Sequence, residues 1–166
     1  REGHRTDSYR LNGGIYMDFV CSDCGHRESA ATYKPKCDKC GGLWKLDYEA
    51  PKFDLAKVDK ETWSIFRYRE FMPIEDDSWR DISLGEGMTP IINFDKNVLF
   101  KMDYYMPTLS FKDRGAVVLI SHCRSIGVKS VVQDSSGNAG DSVAAYCGRA
   151  GIKCEIFVPH NTSPKK

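Results

Sequence analysis

Three groups of residues have the types and spacing to do chemistry. Lys112 stands in "PTLSFKDRGA", residues 107–116, between Phe111 and Asp113, just where a helical pattern begins. Taken alone, a first-turn lysine reads as a solvated side chain, yet positive charge at that end opposes the helix dipole. The opposition, together with an aromatic neighbour, points to a lysine kept for its amine as a carbonyl nucleophile. The second group is "SSGN", residues 135–138, where a strand-like run turns into a second helical pattern. Such a turn gathers free backbone amides, two hydroxyls and the Asn138 amide around one point, an arrangement that suits an anion. An ordinary N-cap needs only a single Ser or Asn, and strand, Ser-Ser-Gly-Asn and a small-residue helix together exceed that need.

The third group is two C-x-x-C pairs, Cys21 with Cys24 and Cys37 with Cys40, twelve residues apart. Glycine follows each pair (Gly25; Gly41 and Gly42), and strand-like runs "GIYMDFV" and "GLWKLDY" flank them. This reads as a zinc ribbon, each turn presenting two thiolates. A redox pair or two disulfides are the alternative readings of the same spacing. A closed four-cysteine site holds structure and leaves no open position for a substrate, so catalysis is to be sought elsewhere. The remaining thiols, Cys123, Cys147 and Cys154, lie in apolar contexts and read as buried and reduced.

The elements that must position these groups follow from pattern. After the ribbon come a polar connector and "TWSIFRYREFMPIEDDSW", a short aromatic helix ended by Pro73, whose aromatics serve as core or for docking. "PIINF" and "VLFKM", joined by "DKN", read as a β-hairpin. From residue 110 onward helix and strand alternate: "SFKDRGAVVLISHCRSIG" helical, "KSVVQD" strand, "NAGDSVAAYCGRAG" helical, "KCEIFVP" strand. Helices ending at Gly127 and Gly151, each before a short apolar strand, indicate a parallel sheet of βα units, whose ligands gather where strands run into helix starts. The fold class expected is α/β: a zinc-ribbon-like β module (1–50), a connector with a docking helix (51–79), then the hairpin and part of a three-layer parallel α/β domain (80–166).

Across 166 residues, 24 Lys plus Arg balance 23 Asp plus Glu, so no overall field favours nucleic acid or an anionic membrane. No apolar run approaches the roughly 20 residues of a membrane span, and "REGHRTDSYRLNGG" lacks the apolar core of a secretory signal. The expected location is the cytoplasm.

"PTLSFKDRGA" resembles the "PTGSFKDRG" signature of pyridoxal-phosphate enzymes of the tryptophan synthase β fold, and of threonine synthases in particular. "IFRYREFMP" resembles that family's "WRYREFLP", "LGEGMTPI" its "LGEGxTPL", and "SSGNAGDSVAAYCGRAG" its Ser-Gly-Asn loop and helix. A four-cysteine ribbon is found at the N-terminus of many members. The resemblance implies that Lys112 carries pyridoxal phosphate covalently and that Asn138 hydrogen-bonds its phenolic oxygen. Ser135, Ser136 and the amides of Gly137, Asn138 and Ala139 would hold the substrate carboxylate. The implied reaction is elimination of phosphate from O-phosphohomoserine and addition of water, yielding L-threonine.

Three positions differ from the family pattern: Met106 for asparagine, Leu109 for glycine, and Ala139 for the threonine of many members. A cysteate synthase or a serine/threonine dehydratase would keep Lys112 and Asn138 as well. By resemblance, the phosphate-cradling loop, the residue facing the pyridine nitrogen and the second domain lie beyond residue 166, so the chain is expected to be an inactive N-terminal part of an enzyme. The partner implied is a small amino-acid phosphate, with no nucleic acid and no membrane, and with a homodimer open for the longer form. A different class of function, a non-catalytic zinc-ribbon module contacting RNA or a protein, is disfavoured because His26, Arg27, Lys34, Lys36, Lys39 and Lys45 are interspersed with Asp23, Glu28 and Asp38.

Overall fold

Around the four cysteines, short runs of apolar and β-branched residues pair across glycine turns. Strand β1 (Asp18–Cys21) lies between β2 (Arg27–Ser29) and β3 (Trp44–Leu46), antiparallel to both, with Phe19 opposite Glu28 on one side and Leu46 on the other. The ring of Phe19 stacks on Trp44 at 6.2 Å. The computed structural model describes residues 17–74 and 76–163. Gly14–Tyr16 of the first expected strand lie outside them, and β2, too polar to read as a strand, was not anticipated. The described residues form two compact units, one from residues 17–53, 70–74 and 76 and the other from 54–69 and 77–163.

The second unit holds helix α1 (Trp79–Ile82), the hairpin β4 (Ile91–Asp95) and β5 (Val98–Lys101), helix α2 (Asp113–Ser125), β6 (Ser130–Asp134), α3 (Asn138–Ala150) and β7 (Lys153–Phe157). Strands β6 and β7 are parallel, in register from Ser130 with Lys153 to Asp134 with Phe157. This is the βα pattern expected, since a parallel neighbour needs a crossover and α3 supplies it. Gly151 closes α3 in the left-handed region at φ 67°, its N–H reaching the Cys147 and Gly148 carbonyls. Ile82, Phe66, Val117, Ile120, Tyr146 and Cys147 are essentially sealed from solvent and form the core. Among the described residues no helix is long and apolar enough to cross a membrane.

Two expectations are corrected. The stretch read as a short helix ending at Pro73 is a run of 3-10 turns, Ile65–Phe71, broken at Tyr68. The Ile65 N–H bonds the Glu86 carbonyl at 2.8 Å and the Arg67 carbonyl accepts from Asp59 N–H at 2.9 Å, so long-range partners compete with the helical ladder of this aromatic-rich run. Of the three thiols read as buried, only Cys147 is; Cys123 and Cys154 are half-buried. All three are free, and burial, then the nearby Cys154, pushes Cys147 up to about 12.

Two carboxyl groups of this unit are held low by partners: Asp59 by Thr62 and Arg69, and Asp103 by the Arg114 guanidinium. Their folded values lie below the unfolded ones, so the stability they add is complete above about pH 4 and is lost as pH falls through the folded values. Urea midpoints should therefore decline from about pH 4 downward. Asp59→Asn and Asp103→Asn should each start lower and decline less steeply; slopes unchanged by both would contradict the assignment.

Candidate functional site at two helix starts

Ser110 is buried, its hydroxyl accepting the Lys112 N–H at 3.3 Å, and Lys112 occupies the position just before α2 in helical geometry. The lysine side chain is exposed, with Nζ 4.7 Å from the Phe111 ring centroid, and it forms no ion pair among the described residues.

Asp113, the next residue, is fully buried and accepts three donors. The Thr108 N–H bonds Oδ2 at 2.7 Å, the Thr108 hydroxyl bonds Oδ1, and the Ser142 hydroxyl bonds Oδ1 at 2.6 Å. Thr108 Oγ1 and Ser142 Oγ are 2.9 Å apart. Ser142 lies one helical turn after Asn138, the first residue of α3. The starts of α2 and α3 are thus fastened side by side through residues adjacent to Lys112 and one turn from Asn138. Lys112 and Asn138 themselves share no hydrogen bond.

The loop before α3 is shaped for close approach. Ser135 N–H continues the strand pairing to the Phe157 carbonyl at 3.1 Å, and the Gly140 and Asp141 amides both turn back to the Gly137 carbonyl. That leaves the first-turn amides of Asn138 and Ala139 pointing out of the helix start, available to an anion. A Cβ on Gly140 would lie 3.0 Å from the Ser135 carbonyl and 3.2 Å from Ile156 Cγ2, so glycine lets α3 sit close on the strands. Ser135, Ser136 and Gly137 are half-buried around this opening and Asn138 is exposed.

Asp113, Thr108 and Ser142 were not singled out in the sequence, although an acid in the first turn of a helix is a common sign of a partnered N-terminus. Glu86 was missed too. It is fully buried, accepting from the Ser83 hydroxyl at 2.9 Å, the Leu84 N–H at 3.0 Å and the Tyr146 hydroxyl at 3.0 Å. Burial and the neighbouring Glu86 and Asp113 raise the Tyr146 phenol, which therefore stays the donor.

In the other unit, the four cysteines come together. Cys21 and Cys40 Sγ are 3.4 Å apart, Cys24 and Cys37 Sγ 3.7 Å, and all four within 4.8 Å. Four thiolates at about 2.3 Å from one zinc ion would be about 3.8 Å apart, so the spacing fits tetrahedral zinc. The two knuckles are built alike: Gly25 and Gly41 N–H return to the Cys21 and Cys37 carbonyls, and Cys21 and Cys37 N–H go to the His26 and Gly42 carbonyls. Gly25 and Gly41 have φ of 71° and 77°, where glycine is at no disadvantage. The Cys24 amide, above all, holds Cys21 down at about 7, while Cys40 is pushed up to about 12 by Cys24 and Cys21 against the pull of the Gly42 amide. Of the ribbon's basic residues, Arg27 is paired with Asp18 and Asp47, and Lys34 with Glu28 and Asp38.

Comparison with known proteins places this geometry. A family model described as pyridoxal-phosphate dependent enzyme matches residues 82–166, which contain both helix starts. The chain belongs to that family. It is 36% identical over 151 residues to a threonine synthase of Methanocaldococcus jannaschii, covering 84% of this chain and 37% of the relative. A threonine synthase of Methanosarcina acetivorans is 31% identical over 149 residues, covering 84% of this chain and 36% of the relative. One from Mycobacterium bovis is 38% identical over 102 residues, 57% of this chain and 28% of the relative. The chain thus spans between 28% and 37% of the length of these curated relatives.

Removing the shared acceptor tests the fastening. Asp113→Ala leaves the buried Ser142 hydroxyl and the half-buried Thr108 hydroxyl without their shared acceptor and should cost about 2–4 kcal/mol in urea unfolding, with Ser142→Ala costing about 1. Equal effects of the two variants would show that Asp113 is not the common acceptor.

Proposed function

We propose that the chain supplies the N-terminal part of a threonine synthase, a lyase of threonine biosynthesis that turns O-phosphohomoserine and water into L-threonine and phosphate. The observation that carries this reading is the pairing of two helix starts, one offering an exposed lysine without an ion-pair partner and the other an asparagine with open amides, fastened through Asp113 and Ser142. The relatives' own activity supports the reaction class. Bound pyridoxal phosphate supplies an electron sink that acidifies the Cα proton of an amino-acid substrate.

The chain's residues have distinct tasks in this reading. Lys112 would hold the cofactor covalently, and its amine would be placed to move protons among the substrate's Cα, Cβ and Cγ. Asn138 orients the cofactor by a hydrogen bond to its phenolic oxygen. Ser135, Ser136 and the amides of Gly137, Asn138 and Ala139 hold the substrate carboxylate, a task for which a helix start is suited. Asp113 and Ser142 keep the two starts in register. Ala139 lacks the hydroxyl that many threonine synthases place there. That favours a second reading, a cysteate synthase or serine/threonine dehydratase on the same Lys112 and Asn138, which assay of the product separates.

In a full-length enzyme containing this segment, borohydride reduction should fix a pyridoxyl group on Lys112, found by peptide mapping. Lys112→Ala should abolish turnover, whereas Asn138→Ala should lower cofactor occupancy and leave measurable activity. A label on another lysine, or turnover by Lys112→Ala, would falsify the assignment.

The four-cysteine cluster is proposed to hold one structural zinc ion through Cys21, Cys24, Cys37 and Cys40, supported by the matched knuckles and sulfur spacing. Metal analysis after chelator-free, reducing preparation should find one zinc per chain. Cys37→Ser should lose it together with amide protection in β1–β3, and protection in α2 and α3 should survive. Protein without zinc, or ribbon protection indifferent to chelation, would rule the metal out.

A further inference from the structure

A cleft of about 330 Å³ lies in the second unit, lined by neither Lys112 nor the 135–138 loop. Three of its lining side chains are cationic, Arg67, Lys101 and Arg114, and none is acidic. Their charges are not equally compensated. Arg114 is matched by Asp103 through two hydrogen bonds of 2.9 Å. Lys101 Nζ donates to the Thr89 carbonyl at 3.1 Å and lies within electrostatic reach of Asp103, whereas Arg67 forms no ion pair among the described residues. Arg67 is the least satisfied: Nη1 faces the Met88 thioether at 2.8 Å, and Nε is buried with no acceptor. A thioether is a weak acceptor, and a buried guanidinium N–H without a partner is costly.

The cleft wall is held rigidly. Gly87 has φ 100°, and a Cβ there would lie 2.7 Å from Ile65 Cγ2, so the backbone runs directly against Ile65. Met88 follows at φ 50°, a left-handed conformation that costs any residue but glycine. Behind them Glu86 is anchored by its three donors, and its carbonyl takes the Ile65 N–H. The strained turn and the cations meet at one place.

We propose that this cleft binds a small organic anion whose phosphate or carboxylate head is taken by the Arg67 guanidinium and the Lys101 ammonium. A planar fork beside a point charge suits oxyanions, and an acceptor here would answer the buried Arg67 Nε. The volume exceeds what an inorganic ion fills and leaves room for an apolar portion against Ile65 and Met88. Arg114 ties the cleft to the first turn of α2, so a ligand here would sit near, but outside, the site proposed around Lys112.

The test is an amide-resolved NMR titration of the chain with sodium phosphate, and separately with sodium acetate, in about 150 mM sodium chloride to screen diffuse attraction. Saturable shifts at Gly87, Met88 and Thr89 are expected. Arg67→Gln should weaken binding ~10-fold or more and Lys101→Gln several-fold, while Lys153→Gln, on an exposed residue of β7, should leave it unchanged. Stronger response to phosphate identifies a phosphorylated ligand, and stronger response to acetate a carboxylate. Shifts confined to residues 135–139, no saturation by either anion, or undiminished binding in both folded cleft variants would overturn the proposal without touching the assignment of Lys112.

Discussion

One buried carboxylate decides the geometry of the second unit. Asp113 lies at the start of α2, sealed from water, and its acceptors are filled from the preceding loop by Thr108 and from α3 by Ser142. A buried acid is tolerated only when its hydrogen-bonding capacity is met, so the sequence positions of Thr108, Asp113 and Ser142 are mutually constrained. The consequence reaches function directly, because Lys112 precedes Asp113 and Asn138 stands one turn before Ser142. A shift of either helix along its axis would break short hydrogen bonds before it moved the lysine from its place.

Glu86 repeats the device one layer away. Its carboxylate takes a serine hydroxyl, a backbone amide and the Tyr146 phenol, so the turn before β4 is pinned to the middle of α3. With the Phe66 ring stacked on Trp79 at 4.5 Å, the irregular 3-10 stretch gains a fixed place that local propensity does not provide. The core here is apolar in bulk and polar at the two points where loops must be held to helices. The hairpin is different in kind: every residue of β4 and β5 is exposed, so strand pairing and the Phe94–Phe100 contact, rather than burial, define it in this chain.

Periodicity and punctuation made the regular elements legible. Helices α2 and α3, the strands after them, the hairpin and the paired knuckles all follow from apolar spacing and from glycines at Gly25, Gly41, Gly127 and Gly151 that have positive φ. Lys112 and Asn138 were visible because each marks a helix start. What spacing could not reveal is the partner of a polar residue far away in the chain: Asp113 with Ser142 and Glu86 with Tyr146 are separated by 29 and 60 residues. The 3-10 stretch was misread in part for the same reason, since one of its competing partners, Glu86, lies far along the chain from Ile65. The cationic cleft was hidden as well, because Arg67, Lys101 and Arg114 come from three separate segments.

The departures from the family signature acquire a physical meaning in the loop before Lys112. Leu109 stands where glycine is usual, and its φ of 61° is the conformation glycine adopts freely and leucine resists at about 1 kcal/mol. Its side chain is 73% exposed, so packing does not offset that cost. The neighbours do. Met106, replacing asparagine, is buried and takes the Gly87 N–H on its sulfur at 3.1 Å, while the Leu109 N–H returns to the Met106 carbonyl and Thr108 is bound at Asp113. A left-handed residue persists when the structure on either side over-determines it. Here the bonds on both sides of Leu109 are the ones that orient the first turn of α2, so the loop holds a left-handed turn on a leucine, and the lysine that follows keeps its place.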